Sequence, residues 1–183
     1  MTDVFADLFT TGPFAPPAAH PDEAGPPRAH RADAVVLAVS DARRTARHYA
    51  TALALRCTAY SGPETGNPES LAYVLEAGDL RFVVTSVLQP LTEHGRLLAA
   101  RVAAHGDGVF DLAVEVPDAY AAYDYAVDRG ATPVTEPYEV EDRYGIAVIA
   151  VIATPAGRHT LVDRTAYPGP YLPGFLPPPP GVL

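Results

Sequence analysis

Lysine and tryptophan are absent from the 183 residues, and cysteine and methionine occur once each. A single thiol excludes an internal disulfide and any thiolate metal cluster within the chain. Cys57 sits in the apolar stretch RCTAY, which favours a buried, inert thiol over a nucleophile. One cysteine is compatible with a reducing compartment, and a cytoplasmic setting is expected. The opening MTDVFADLFTTGPF is acidic and lacks the basic start and long apolar run of a secretory signal. No apolar run approaches the roughly 20 residues that a bilayer-spanning helix needs, so no membrane association is expected. All 13 cationic side chains are arginines, scattered among 22 carboxylates for a formal charge of −9. A nucleic-acid binder needs a cationic field, so no nucleic-acid partner is expected.

What is present is an ordinary supply of core residues. Apolar content of 48% rules out wholesale disorder. The 20 prolines are unevenly spread, with six in residues 1–30 and seven in 165–183. Residues 1–30 mix Pro, Ala, Gly and charge without periodicity and read as a flexible arm, with Phe5, Leu8, Phe9 and Phe14 as its bulky apolar residues. The last segment, YPGPYLPGFLPPPPGVL, cannot be helix or central strand, because proline removes donors and fixes φ. It reads as an extended linker from residue 165 to 183. The domain is then residues 31–164.

Within that domain the pattern alternates. Ala34–Val39 is a short apolar run of the kind a buried strand shows. Ser40 and Asp41 offer an N-cap to a helix through about Leu55, with Ala46, Tyr49 and Leu53 as its inward stripe. Arg56–Ser61 reads as a strand, followed by the loop GPETGNP. Strands at Ser70–Glu76 and Leu80–Leu88 flank a tight Gly78–Asp79 turn. Residues 93–104 form a connecting helix that ends at His105–Gly106. The same syntax then returns: strand Val109–Val116, a helix opened by Pro117–Asp118 and closed at Gly130, strand Thr132–Val140, and a hairpin of Ala147–Thr154 and Arg158–Arg164.

One ungapped offset relates the halves. Asp41-Ala42 and Asp118-Ala119 lie 77 residues apart, and so do Arg81 and Arg158. Internal duplication of this kind constrains the fold strongly. It implies an α+β protein of two tandem βαβββ modules, about 33–88 and 109–164, burying their apolar faces against one another.

Tandem βαβββ modules are the organisation of the vicinal oxygen chelate superfamily, the glyoxalase/bleomycin-resistance-like fold. Within it the core resembles the N-terminal domain of the bacterial 4-hydroxyphenylpyruvate dioxygenase family, and nearly as well that of hydroxymandelate synthase. The segments that carry the resemblance are DAVVLAV (33–39), AYSGPETG (59–66), RFVVTSVLQP (81–90), AAHGDGVFDLAVEVPDA (103–119), ATPVTEPYEVED (131–142) and RHTLVDRTAYPGPYLPGF (158–175). They run in order over about residues 33–175.

The resemblance implies a chain of roughly twice this length, built from two paired-module domains. Catalysis would belong to the second domain, where two histidines and a glutamate hold Fe(II) and leave positions open for a 2-oxo acid and dioxygen. Decarboxylation and hydroxylation of an aromatic 2-oxo acid would follow there. By pseudo-symmetry, the corresponding ligand positions in this chain are Ala34, Asp111 and Thr160, with Val83 as the fourth. The offset of 77 relates Ala34 to Asp111 and Val83 to Thr160. Ala34 and Val83 cannot bind a metal, Thr160 is a poor neutral ligand, and one carboxylate cannot hold Fe(II) against water. The expectation is no metal and no cofactor in this chain, with Fe(II) in the catalytic half of an assembled enzyme.

The remaining chemistry-bearing residues read as structural. His20 and His30 lie in the arm, His48 is on the first helix, and His94 and His105 flank the connecting helix. His159 neighbours Thr160 and should face away from the cleft. Glu64 in GPETG sits in a loop whose Pro and Gly set turn geometry. His105-Gly-Asp-Gly108 follows a helix instead of opening one, so it is no phosphate loop. Tyr120, Tyr123 and Val127 share a face at helical spacing and suggest packing, and Asp163-Arg164 suggests a salt bridge. Two functions remain in view. One is the metal-free half, or a separate subunit, of an Fe(II) oxygenase with a catalytic dioxygenase partner. The alternative is a stand-alone binding protein, as a homodimer, for a small aromatic or drug-like ligand.

Overall fold

The computed structural model describes residues 31–183, so the arm expected at 1–30, with His20 and His30, lies outside the described residues. The order is β1 (Arg31–Ala38), α1 (Ala42–Ala52), β2 (Arg56–Ser61), a 3-10 turn (Pro63–Thr65), β3 (Ser70–Ala77), β4 (Leu80–Val87), α2 (Glu93–His105), β5 (Gly108–Glu115), α3 (Ala119–Asp128), β6 (Thr132–Asp142), β7 (Gly145–Thr154) and β8 (Gly157–Asp163). Three pairs of equivalent elements keep the 77-residue offset at their first residue: β1 with β5, α1 with α3, and β4 with β8. Duplication is thus visible in the backbone as two βαβββ modules joined by α2.

Local chemistry repeats with it. The Asp41 carboxylate accepts the Arg44 N–H at the start of α1, and Asp118 accepts the Ala121 N–H at the start of α3. Each satisfies a helix-end donor that has no partner inside the helix. Asp107, in the turn after α2, accepts both the backbone N–H and the hydroxyl of Ser40. That turn therefore holds the end of β1 and carries no phosphate-loop geometry.

All eight strands form one sheet in the order β2-β3-β4-β1-β5-β8-β7-β6. The modules meet at the antiparallel β1–β5 pair, and in each module the first and last strands pair in parallel. Parallel neighbours need a crossover, which α1 and α3 supply. Laid flat, eight strands at about 4.8 Å would span over ~30 Å. Ser61 of β2 and Thr135 of β6 nevertheless line one cavity from opposite edges of the sheet. The sheet is therefore curled around that cavity.

Strand alternation sorts the core into three clusters. Leu37, Leu75 and Val84 pack under α1 with Ala42 and Ala46, while Val116, Ala150, Ile152 and Leu161 pack under α3 with Ala122 and Tyr123. The opposite face of the sheet carries Ala34, Ala59, Ala72, Val74, Val83, Ala113 and Val162. Two helix stripes expected from spacing need correction. α1 stops at Ala52, so Leu53 is 49% exposed, and Leu55 is the residue that enters the core. Tyr123 and Val127 pack beneath α3, but Tyr120 is 48% exposed, because the buried arc of α3 is centred on Ala119, Ala122 and Tyr123.

The proline-rich segment after β8 is irregular, as proline dictates, but it does not lead away from the domain. It turns back across the inner face of the sheet, where Tyr171 is only 4% exposed and Leu172 and Phe175 pack against the same cluster. Leu176 and Tyr60 exchange backbone hydrogen bonds of 3.0 and 2.9 Å, closing the outer edge of β2. The opposite edge strand, β6, contains Pro133 and Pro137 and the carboxylates Glu136, Glu139, Glu141 and Asp142. Among the described residues, no helix is long and apolar enough to cross a membrane.

Candidate functional site

The inner face of the curled sheet lines a half-open cavity of about 520 Å³. Its floor is apolar, made of Val36, Ala72, Val83, Ala113 and Val162 from both modules. Small residues here are what leave the volume open, since Ala72 and Ala113 project no side chain far enough to fill it. Phe110, Tyr138 and Phe175 bring aromatic rings to the walls, and Arg158, His94, Asn67 and Glu69 bring polarity.

Three of the four positions singled out in the sequence line this cavity: Val83, Asp111 and Thr160. Ala34 is buried in the apolar cluster beside Val83. Asp111 is the only ionisable member, and its carboxylate is fully engaged. One oxygen accepts the Thr160 N–H at 2.9 Å; the other accepts the Thr160 hydroxyl at 2.8 Å and Arg158 Nε at 2.9 Å. The β5–β8 ladder runs only through Val114–Leu161 and Glu115–Val162, so the carboxylate bridges the strands where their backbone pairing has ended. Among the described residues, no group of three or more His, Cys, Asp or Glu could hold a metal ion. The residues at the four positions do not fit an iron site: two are aliphatic, and the carboxylate is committed to a cation and two other donors.

Behind Tyr171, which lines the cavity, lies a buried charge cluster that does not itself line it. Asp33, with a fully buried side chain, accepts Arg81 Nη1 at 2.5 Å and Arg164 Nη2 at 2.8 Å. Arg81 Nε also bonds Glu76. The Tyr171 ring packs on both guanidinium groups, its centroid 5.4 Å from Arg81 and 5.2 Å from Arg164. Burial first, and then the Asp33 carboxylate, push its phenol well above the ordinary tyrosine range. Arg164 therefore pairs with Asp33 across the module boundary, and the expected Asp163–Arg164 bridge is replaced; Asp163 accepts the N–H and hydroxyl of Thr165 instead. Neither Arg164 nor Tyr171 could be placed in this cluster from spacing, because 131 residues separate Arg164 from Asp33.

The histidines and the loop acid fall as follows. His159 hydrogen-bonds Thr154 and does not line the cavity. His94 does line it, its ring edge-on to Phe110. Burial, and then the nearby Arg158 charge, lower its pKa below the ordinary 6.5. Sequence pattern offered no signal for this placement, which arises from the packing of α2 against β4, β5 and β1. Glu69 accepts the N–H and hydroxyl of Thr92 and packs on Gly95, where a Cβ would collide with its carboxylate. Glu64 accepts the Tyr60 hydroxyl at 2.5 Å and serves its loop. Burial pushes the Cys57 thiol up to about 11, which leaves it protonated and unreactive at neutral pH.

Known proteins share this sequence and fold. A 4-hydroxyphenylpyruvate dioxygenase from Dictyostelium discoideum is 39% identical over 145 residues, covering 78% of this chain and 39% of that protein. The corresponding enzyme from Yarrowia lipolytica is 34% identical over 75% of this chain and 35% of its own length. A solved mutant of 4-hydroxymandelate synthase from Streptomyces coelicolor superposes with a TM-score of 0.67 at 30% identity, over 76% of this chain and 40% of that one. The chain is homologous to these vicinal oxygen chelate enzymes. It spans about two fifths of the length of the curated relatives it matches. Methylmalonyl-CoA epimerase from Mycobacterium tuberculosis, at 17% identity and a TM-score of 0.57, shares the fold alone. No family model matches the chain.

Proposed function

We propose that this chain is the metal-free, N-terminal-type half of a 4-hydroxyphenylpyruvate dioxygenase-like oxygenase. In this reading it works with a catalytic half, fused or separate, that carries a His/His/Glu site for Fe(II) and acts on an aromatic 2-oxo acid in a reducing, cytoplasmic setting. The observation that carries the proposal is the combination of 39% identity with coverage of only 39% of a dioxygenase. The aliphatic and already-bonded residues at the pseudo-symmetric ligand positions support it. The chain's own residues would act as a scaffold: Asp111 locks β5 to β8, and Asp33 locks the two modules to the returning segment.

The test is turnover of 4-hydroxyphenylpyruvate with added Fe(II), by the chain alone and mixed with a His/His/Glu-bearing half. Activity only in the mixture is the expected outcome. Turnover by the chain alone overturns the proposal, and so does a catalytic half whose activity is indifferent to this chain. The homodimeric binding-protein reading would instead leave the mixture inert while the chain alone binds a small aromatic ligand.

A further inference from the structure

The pseudo-dyad places two equivalent arginines on the cavity face of the sheet, Arg81 at the start of β4 and Arg158 at the start of β8. Because β1 and β5 are antiparallel, the two arginines stand towards opposite ends of that sheet face, and of the two only Arg158 lines the cavity. Their surroundings differ. Arg81 faces Glu76 across the β3–β4 pair, bonds Asp33 as well, and is covered by Tyr171. The residue facing Arg158 across the β7–β8 pair is Ala153, which stands 77 positions after Glu76. Module 2 thus lacks the second carboxylate, and the ring on its arginine is Phe110 of β5 in place of one from the returning segment.

Arg158 consequently holds one carboxylate through Nε, and its two terminal nitrogens have no partner among the described residues. The side chain is 21% exposed and lines the cavity. An arginine in this state presents a planar pair of donors, which matches a carboxylate in two-point contact. Its guanidinium lies over Phe110, 5.3 Å from the ring centroid, and Tyr138 and Phe175 line the same space. The floor of Val36, Val83, Ala113 and Val162 offers no hydrogen-bonding side chain. Charge at one end, rings on the walls and an aliphatic floor describe the ligand in relief.

We propose that the Arg158 end of the cavity binds a small carboxylate that bears an aromatic ring, with the carboxylate on the terminal nitrogens of Arg158 and the ring over the apolar floor. The site is complete within this chain and does not depend on an iron-bearing partner. The recognised group is the carboxylate itself. Among the described residues no metal-ligand set is present, so the proposal assigns a 2-oxo group no chelating role here.

The experiment is calorimetric titration of the full chain with 3-phenylpropionate, its neutral amide, and phenylpyruvate. The acid and phenylpyruvate are expected to bind within about threefold of each other, and the amide at least about tenfold more weakly. Arg158→Gln should lower affinity for the acid by about tenfold or more. Arg158 also pins Asp111, so Ala153→Glu provides a second variant: it restores the carboxylate seen opposite Arg81 and should abolish binding while leaving Arg158 in place. Arg44→Gln, on the outer face of α1, should bind like the parent. The proposal is overturned by equal affinity for acid and amide, or by no binding of the acid up to about 10 mM. It is also overturned by a preference for phenylpyruvate over the acid beyond tenfold, or by undiminished binding in a folded Ala153→Glu protein.

Discussion

Asp111→Ala is the most direct probe of what the carboxylate does. In the parent its side chain is 3% exposed and accepts three hydrogen bonds, one from a guanidinium, one from a hydroxyl and one from a strand N–H. Removal leaves the Thr160 N–H without its acceptor and Arg158 with no carboxylate at 21% exposure. An unsatisfied buried N–H costs about 1–3 kcal/mol, and breaking a mostly buried ion pair from one side costs about 3–5 kcal/mol. Partial exposure of Arg158 lets water recover part of the second figure. A net loss of ~3 kcal/mol is expected, equivalent to a drop in Tm of roughly 10 °C for a chain of this size. Urea and thermal unfolding followed by circular dichroism measure it, and the double variant with Arg158→Met should recover part of the loss. A single variant within about 0.5 kcal/mol of the parent refutes the assignment of Asp111 as the β5–β8 clasp. A gain of stability on adding Fe(II) to the parent, absent in the variant, refutes it from the other side.

Further outcomes follow from the same geometry. Tyr171→Ala removes a buried ring that packs on Arg81 and Arg164 and should cost ~3 kcal/mol, with faster proteolysis after residue 164 as a second readout. His94 has a folded-state pKa below 6.5, so the unfolded chain takes up its proton first as pH falls. Its contribution to stability is therefore intact above about 6.5 and lost progressively below it, and His94→Gln should flatten that part of the pH–stability curve. A carboxylate bound at Arg158 offsets the positive charge beside His94 and should raise the imidazole pKa, which NMR titration with and without 3-phenylpropionate reports. Cys57, with a pKa of about 11, should react with a thiol reagent at pH 8 far more slowly than a free cysteine unless urea is added.

Much of the architecture was legible because duplication makes each half a check on the other. Asp41 and Asp118 announce equivalent helices, and short apolar runs such as Ala34–Val39 mark buried strands. The exposed Leu53 and Tyr120 escaped because helical spacing gives a stripe but not the angle at which a sheet receives it. The site was harder. Asp111 was visible as the one ionisable residue at four equivalent positions. Its partners, however, depend on a ladder that ends early. The Asp33–Arg81–Arg164–Tyr171 cluster joins residues from both modules and the returning segment, and no local pattern encodes such a meeting. Proline content revealed that residues 165–183 form neither helix nor central strand. It could not reveal that Tyr171, between Pro170 and Leu172, is a core residue.

The two outer strands of the sheet end in different ways, and the difference bears on how readily another chain could pair with either edge. An eight-stranded arc offers free ladder donors and acceptors along β2 and β6, each a template for another chain. At β2, Leu176 occupies the template with a single residue, and Pro177–Pro180 then make any longer pairing impossible. At β6, Pro133 and Pro137 delete donors while four carboxylates repel an identical neighbour. The returning segment thus does more than wall the cavity. It occupies a position on the β2 edge that another strand would need, so trimming the chain before Leu176 should make that edge more adhesive even where the fold survives.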